Sequence, residues 1–187
     1  VKAALDALGD RAETLMRAAI SSLPDGSWQP EDFLDNDGIS DEPLPIRLTL
    51  TIRGDRLTLD FTGSAGPAQG PINISRSTSI ACCYVAIKHI FPDLPANAGV
   101  MRPIDFVIPD KSLLSAEFPK PVGGYTETIL RMIDVIFATF ANAAPDRVNG
   151  NAYGTINALS LAGHRADGRR WVMFSFYGGG LGGSPAG

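Results

Sequence analysis

The strongest constraint in this sequence is a period-two pattern on both sides of Gly54-Asp55. Ile46, Leu48, Leu50 and Ile52 alternate with Arg47, Thr49, Thr51 and Arg53. Beyond the Gly-Asp pair, Leu57, Leu59 and Phe61 alternate with Arg56, Thr58, Asp60 and Thr62. Successive side chains of a strand point to opposite faces, so the pattern predicts two strands that each bury one side. A two-residue turn opened by glycine joins antiparallel strands with the right twist. A hairpin with one apolar face must be covered by something else in the chain.

Three helical patterns supply that cover. Leu5, Leu8, Ala12, Leu15, Met16, Ala19 and Ile20 share one face of a first helix, which stops at Pro24-Asp25-Gly26. Ile80, Cys83, Tyr84, Ile87, Ile90 and Phe91 share a face of a second, ended by Pro92. A third follows Gly123-Gly124, with Ile129, Ile133, Ile136, Phe137 and Phe140 inward. Thr126 is placed to cap this helix and Glu127 suits its positive end. The spacings Glu127–Arg131 and Arg131–Asp134 predict pairs along its outer side. Further strands are expected over 27–34 and 104–108, and a last hairpin joins 153–161 to 171–177 across a polar turn. This order predicts an α+β fold, a mainly antiparallel sheet packed with about three helices.

The 187 residues suit a single domain or sub-domain. With 20 glycines and 14 prolines, against a usual combined share of roughly 12%, the chain is rich in loops. It opens on Val1 and closes on a glycine-rich run, and it reads as an interior stretch of a longer protein. Net charge is −4, which argues against non-specific binding to nucleic acid. The acidity gathers at Glu31, Asp32, Asp35, Asp37, Asp41 and Glu42, expected as a solvated turn. No apolar run nears the ~18 residues of a membrane span, and no secretory leader pattern opens the chain. Cys82 and Cys83 are adjacent in a helical pattern, diverge by about 100° and so form no disulfide, which fits a reducing cytoplasm. His89 and His164 lie outside any metal-ligand spacing. Asp35 and Asp37 precede Gly38 as in a calcium loop, but Phe33 and Leu44 stand where carboxylates are needed. No metal site is expected in this stretch.

Three polar constellations remain. In Asp60-Phe61-Thr62-Gly63-Ser64 a carboxylate ends a strand at a glycine loop, either to bind substrate or to accept from loop amides. In Gly123-Gly124-Tyr125-Thr126-Glu127 the N–H groups opening a helix suit an anion or an oxyanion, or ordinary capping. In Asn151-Ala152-Tyr153-Gly154-Thr155-Ile156-Asn157 amides and hydroxyls suit a neutral hydrogen-bonding ligand, and equally suit turns and strand ends. The glycines of 178–183 allow either close approach of the backbone to a ligand or a flexible linker.

Eight segments in order resemble the hydantoinase B/oxoprolinase family. They are Leu23-Pro24-Asp25-Gly26, Leu34-Asp35-Asn36-Asp37-Gly38, Asp60-Phe61-Thr62-Gly63-Ser64, Gly70-Pro71-Ile72-Asn73, Asn97-Ala98-Gly99 with Arg102-Pro103, Gly123-Gly124 before Glu127-Thr128, Tyr153-Gly154-Thr155, and the glycine-rich end. The resemblance implies the middle of a B-type subunit several hundred residues long, acting in ATP-dependent opening of a cyclic amide such as a hydantoin or 5-oxoproline. It implies a hydantoinase A-type partner subunit or domain that handles ATP, and a divalent metal bound outside this stretch. On that basis Asp60 and Glu127 are the candidate catalytic carboxylates. Gly63, Asn73, Gly124, Tyr125, Thr155 and Asn157 are the candidate substrate-binding residues. A subunit of an ATP-dependent ketone carboxylase, or a non-catalytic scaffold and subunit interface, are the alternatives. The 187-residue stretch alone is expected to be inactive.

Overall fold

The structure is a computed structural model that describes residues 1–184. In chain order it contains α1 (Lys2–Ser21), β1 (Gly26–Trp28), β2 (Glu31–Leu34), β3 (Leu44–Arg47), β4 (Thr49–Arg53), β5 (Arg56–Asp60), α2 (Arg76–Ile90), β6 (Ile104–Val107), α3 (Tyr125–Ala143), β7 (Asn157–His164) and β8 (Arg170–Tyr177). Short 3-10 turns occupy Ala98–Met101 and Pro145–Arg147. The expected α+β class holds.

The hairpin around Gly54-Asp55 is β4–β5, closing at Arg53↔Arg56 with Gly54 at φ +59°. It forms the middle of a four-stranded sheet ordered β1-β4-β5-β6. The pairs β1–β4 and β4–β5 are antiparallel and β5–β6 is parallel, with α2 in the crossover that a parallel pair requires. Two smaller antiparallel pairs, β2–β3 and β7–β8, complete the strands.

Two expected strands are each split, and at the same place. The run over 27–34 breaks before β2 at Gln29-Pro30, and the run over 46–53 breaks between β3 and β4 at Leu48. Leu48 donates its N–H to the Pro30 carbonyl at 3.2 Å. Proline has no N–H to return, so the ladder stops there and the chain steps into a second sheet. The alternation survives the step, because Ile46, Leu48, Leu50 and Ile52 are all buried.

The helices carry smaller corrections. In α1 the buried residues are Ala12, Met16 and Ile20, while Leu5, Leu8 and Leu15 stay exposed. In α2, Tyr84 is exposed and Ser75 caps the helix, accepting from the Thr78 N–H. In α3 the buried row is Thr128, Met132, Val135, Ile136, Thr139 and Phe140, rotated from the expected face; Ile129, Ile133 and Phe137 are only partly buried. Gly124, not Thr126, is its N-cap and no side chain caps it. Asp134, expected on the outer side, is buried, because α3 packs against α2 on one side and touches β1, β2 and β3 on the other.

The β7–β8 hairpin differs in kind. Val172, Phe174 and Phe176 are exposed on one face and Leu159, Leu161, Trp171 and Met173 on the other. Among the described residues, no helix is long and apolar enough to cross a membrane.

Candidate functional site

The loop after β5 is built on two buried polar side chains. Asn73 is fully buried; its Oδ1 accepts from the Ala68 N–H, and its Nδ2 donates to the carbonyls of Ala68, Gly70 and Pro121 at 2.9–3.1 Å. Asp37 reaches the same loop from the β2–β3 connection. Its Oδ1 accepts from the N–H groups of Ile39 and Ser40, and its Oδ2 from those of Gln69 and Gly70, all within 2.9 Å. Those amides hold its carboxyl well below the usual carboxylate range. The acidic run is therefore not merely a solvated turn: its middle carboxylate is a loop-to-loop clasp.

Asp60 ends β5 half-buried, and its Oδ1 accepts from the Thr62 N–H at 2.8 Å, the loop-amide option left open by the sequence. Gly63 is exposed at φ +90°, and its carbonyl accepts from Arg47 at 3.1 Å. Farther along, Gly124 donates to the Pro71 carbonyl at 2.8 Å and Thr128 Oγ1 donates to Ile72. Two expectations change here. Asn73 and Gly124 both have their donors occupied inside the protein, so neither offers a free one to a ligand. Tyr125 is exposed at the start of α3.

The second constellation lies along α3. Residues 151–156 belong to no helix or sheet, and burial alternates along them: Ala152, Gly154 and Ile156 are covered, while Asn151, Tyr153, Thr155 and, at the start of β7, Asn157 are exposed. The covered positions face three charged residues of α3. Glu127 Oε1 accepts from the Ile156 N–H at 3.2 Å. Gly154, at φ +75°, lies so close to Arg131 that a Cβ there would come within 2.9 Å of Nη2. The Ala152 amide acts on the Asp134 carboxyl. Glu127, Arg131 and Asp134 span about 10 Å of helix, and an extended segment from 152 to 156 spans roughly 13 Å.

The glycine run holds the edge of this strap. Gly150 donates to the Gly183 carbonyl at 2.8 Å and Tyr153 to the Gly180 carbonyl at 3.0 Å. A Cβ at Gly182 would meet Gly150 O at 2.1 Å, and one at Gly179 would meet the Tyr153 ring at 2.1 Å. These glycines bring two stretches of the chain's own backbone together. On the outward row, Asn157 donates from Nδ2 to the Tyr153 hydroxyl at 3.1 Å.

Arg131 does not pair with Glu127 as its spacing suggested. Its Nη1 donates to Asp32 Oδ2 at 2.8 Å and stands 3.8 Å from Asp134 Oδ2. Arg131 Nε and Asp134 Oδ2 are buried without a hydrogen-bond partner among the described residues. Burial pushes the Asp134 carboxyl up; the Ala152 amide and Arg131 oppose it, and Asp32 adds to it. Asp32 lies 99 residues from Arg131, so no local signal announced this junction. The strap did leave one: small or apolar residues at 152, 154 and 156 alternate with polar ones.

No hydrogen bond joins Asp60 to Glu127 among the described residues; each accepts from a different backbone segment. No three His, Cys, Asp or Glu side chains of the described residues cluster as a metal site. An apolar cleft of about 510 Å³ opens between α2 and the 98–101 turn, beside Met16, and contains none of these residues. Its one ammonium, Lys88, is bonded to the carbonyls of Pro92 and Leu94.

Comparison with known proteins places this arrangement. The hydantoinase B/oxoprolinase family model matches residues 1–187. The B-type subunit of a putative D-/L-hydantoinase from Pseudomonas sp. (strain NS671) is 30% identical over 98% of this chain and 33% of its own length. The crystal structure of the ATP-dependent caprolactamase from Pseudomonas jessenii superposes with a TM-score of 0.75 at 26% identity, covering 92% of this chain and 30% of the caprolactamase chain. The nucleotide-free structure of acetone carboxylase superposes with a TM-score of 0.79 at 15% identity, over 94% of this chain and 26% of the other, a likeness of fold alone. The chain thus spans about a third of the length of the hydantoinase relative it matches.

Proposed function

The chain belongs to the hydantoinase B/oxoprolinase family, and on that premise we propose that it is part of the B-type portion of an ATP-dependent enzyme that opens cyclic amides. The observation that carries this is the 30% identity running through 98% of the chain to the B-type subunit of a putative hydantoinase. The match to a caprolactamase at 26% identity supports it. Hydantoin, 5-oxoproline and caprolactam share an amide held in a ring. The carboxylase likeness, at 15% identity, supports the shared fold and not ketone chemistry.

A ring amide is a poor electrophile because its C–N bond is resonance-stabilised. ATP, handled by an A-type partner, is the co-substrate that would phosphorylate the amide oxygen and remove that resonance. Water then adds at the carbon, the C–N bond breaks, and the nitrogen leaves with a proton. A second water hydrolyses the acyl phosphate to carboxylate and phosphate. The residues here would bind the ring, orient water and stabilise developing charge. Asp60 is the candidate base. Glu127 is the other carboxylate proposed, and it already holds the strap that presents Thr155 and Asn157. Tyr125 and Gly63 offer further accessible polar groups. The same reading places the protein in the cytoplasm, where the buried thiols stay reduced; burial pushes Cys82 up to about 11.

The test is turnover by the family-length protein with its A-type partner and ATP. Hydantoin, 5-oxoproline and caprolactam are offered in parallel with acetone plus bicarbonate, and ADP and ring-opened product are measured. ATP-dependent opening of at least one ring, lost in Asp60→Asn, is the expected result. Carboxylation of acetone without ring opening overturns it.

A further inference from the structure

We propose that Arg131, set between Asp32 and Asp134, is the positioning residue of the 151–156 strap, and that the strap's outward row, Asn151, Tyr153 and Thr155, continued by Asn157 at the start of β7, is the edge that binds the ring amide. The proposal rests on the cyclic-amide reading above and assigns the place where that substrate is held.

Four observations meet here. Burial alternates with period two along the strap, so one row of side chains is turned to the helix and the other to solvent. The outward row carries two amides and two hydroxyls and no charge. These groups both donate and accept, as does a neutral ring amide with its N–H and C=O. Tyr153 and Asn157 are already bonded to each other at 3.1 Å, which spans Thr155 and links two members of the row. The strap's backbone is fixed from two sides: α3 behind it through Glu127, Arg131 and Asp134, and the glycine run along its edge.

Arg131 is the centre of that fixing. It is the one side chain of the three that touches both another element, through Asp32, and the strap, through Gly154. The junction is not built for stability alone, because Arg131 Nε and Asp134 Oδ2 are left buried and unbonded. A buried polar atom without a partner is unfavourable, and an apolar pair of similar size would pack there with less penalty. A charged pair under a glycine at positive φ instead sets the height and register of the backbone above it. Asp32 ties that register to β2, and Asp37, beyond the end of that strand, ties the β2–β3 connection to the loop after β5.

The experiment uses the family-length protein with its partner subunit, with 5-oxoproline, hydantoin or caprolactam as probe. Arg131→Met should raise KM for the ring amide by about tenfold or more, with kcat changed by less than about threefold and KM for ATP unchanged. Arg131→Lys should recover part of the loss. Gly154→Ala, which pushes a methyl against the guanidinium, should reproduce the effect if Arg131→Met fails to fold. Hydrogen exchange should rise at the amides of 150–156 and stay unchanged in the α3 core. A merely structural role would lower the active fraction and leave KM alone. Wild-type KM with a loosened strap overturns the binding edge, and unchanged exchange overturns the positioning role. If the wild-type protein opens no ring, the functional reading fails by itself, and exchange at 150–156 still decides whether Arg131 positions the strap.

Discussion

Asp37 and Asp134 are buried to the same degree, each 4% exposed, yet their carboxyls are driven in opposite directions. Asp37 accepts four backbone N–H groups, and these hold its carboxyl down. Asp134 has one oxygen with no hydrogen-bond partner, and burial pushes it up against the weaker pull of Ala152 and Arg131. Low exposure alone does not decide the charge of a carboxyl; the depth of its burial and the donors aimed at it decide it together. The Asp37 region is a clasp in which both carboxylate oxygens are matched by backbone donors. The Asp134 region is a mismatched junction behind an exposed polar row.

The largest expected effect breaks the clasp through its backbone. A Cβ at Gly70 would stand 1.6 Å from the Asp37 carbonyl oxygen, backbone against backbone. No side-chain rotation relieves that clash, so Gly70→Ala should lose more than about 4 kcal/mol, in the tail of single-substitution effects. Urea or thermal unfolding measures it, and a midpoint near that of the wild type would show that the clasp is not fixed as described.

Next in size is the contrast between the two carboxylates themselves. Asp37→Asn puts amide hydrogens against backbone N–H donors and should be strongly destabilising at pH 7. Asp134→Asn removes a buried charge and should leave the unfolding midpoint unchanged or raise it. The pH dependence has opposite signs. The stabilisation from Asp37, whose folded value is lowered, is present above the ordinary carboxylate value of about 4 and is lost as pH falls below it. The penalty from Asp134, whose folded value is raised, is present at neutral pH and is relieved as pH falls through that raised value. Unfolding midpoints from pH 3 to 8 should show each variant approaching the wild type on the acid side, Asp37→Asn from below. Equal destabilisation by both variants at pH 7 would erase the distinction.

The two regions were not equally legible in the sequence. The β4–β5 hairpin was, because Gly54-Asp55 and two alternating runs are local and mutually consistent. The resemblance to the family rested on the loops around Asp37, Asn73 and Gly124, and those loops are the ones tied to one another here. What stayed hidden depends on contacts distant in sequence. Arg131 reads as a helix-surface partner of Glu127 until Asp32 arrives from 99 residues away. Asp134 reads as exposed until α3 is rotated by packing against β1–β3. The break shared by Pro30 and Leu48 needs both strands in place before either shows it.

The smallest effect on stability should come from the outward row of the strap, and it sharpens the comparison most. Thr155 is exposed and, among the described residues, no side-chain hydrogen bond holds it back on α3, so Thr155→Val should change stability by no more than about 0.5 kcal/mol. Gly154→Ala, one residue away on the covered row, should cost several times as much, since it combines strain at φ +75° with the Arg131 contact. Paired with Arg131→Met, Thr155→Val should be additive in unfolding free energy but non-additive in KM for the ring amide. The two residues meet through the bound substrate and the strap's register, not through a contact of their own. Additivity in both readouts would mean that the junction behind the strap and the row in front of it are independent, and that the mismatch at Asp134 serves something other than the ligand edge.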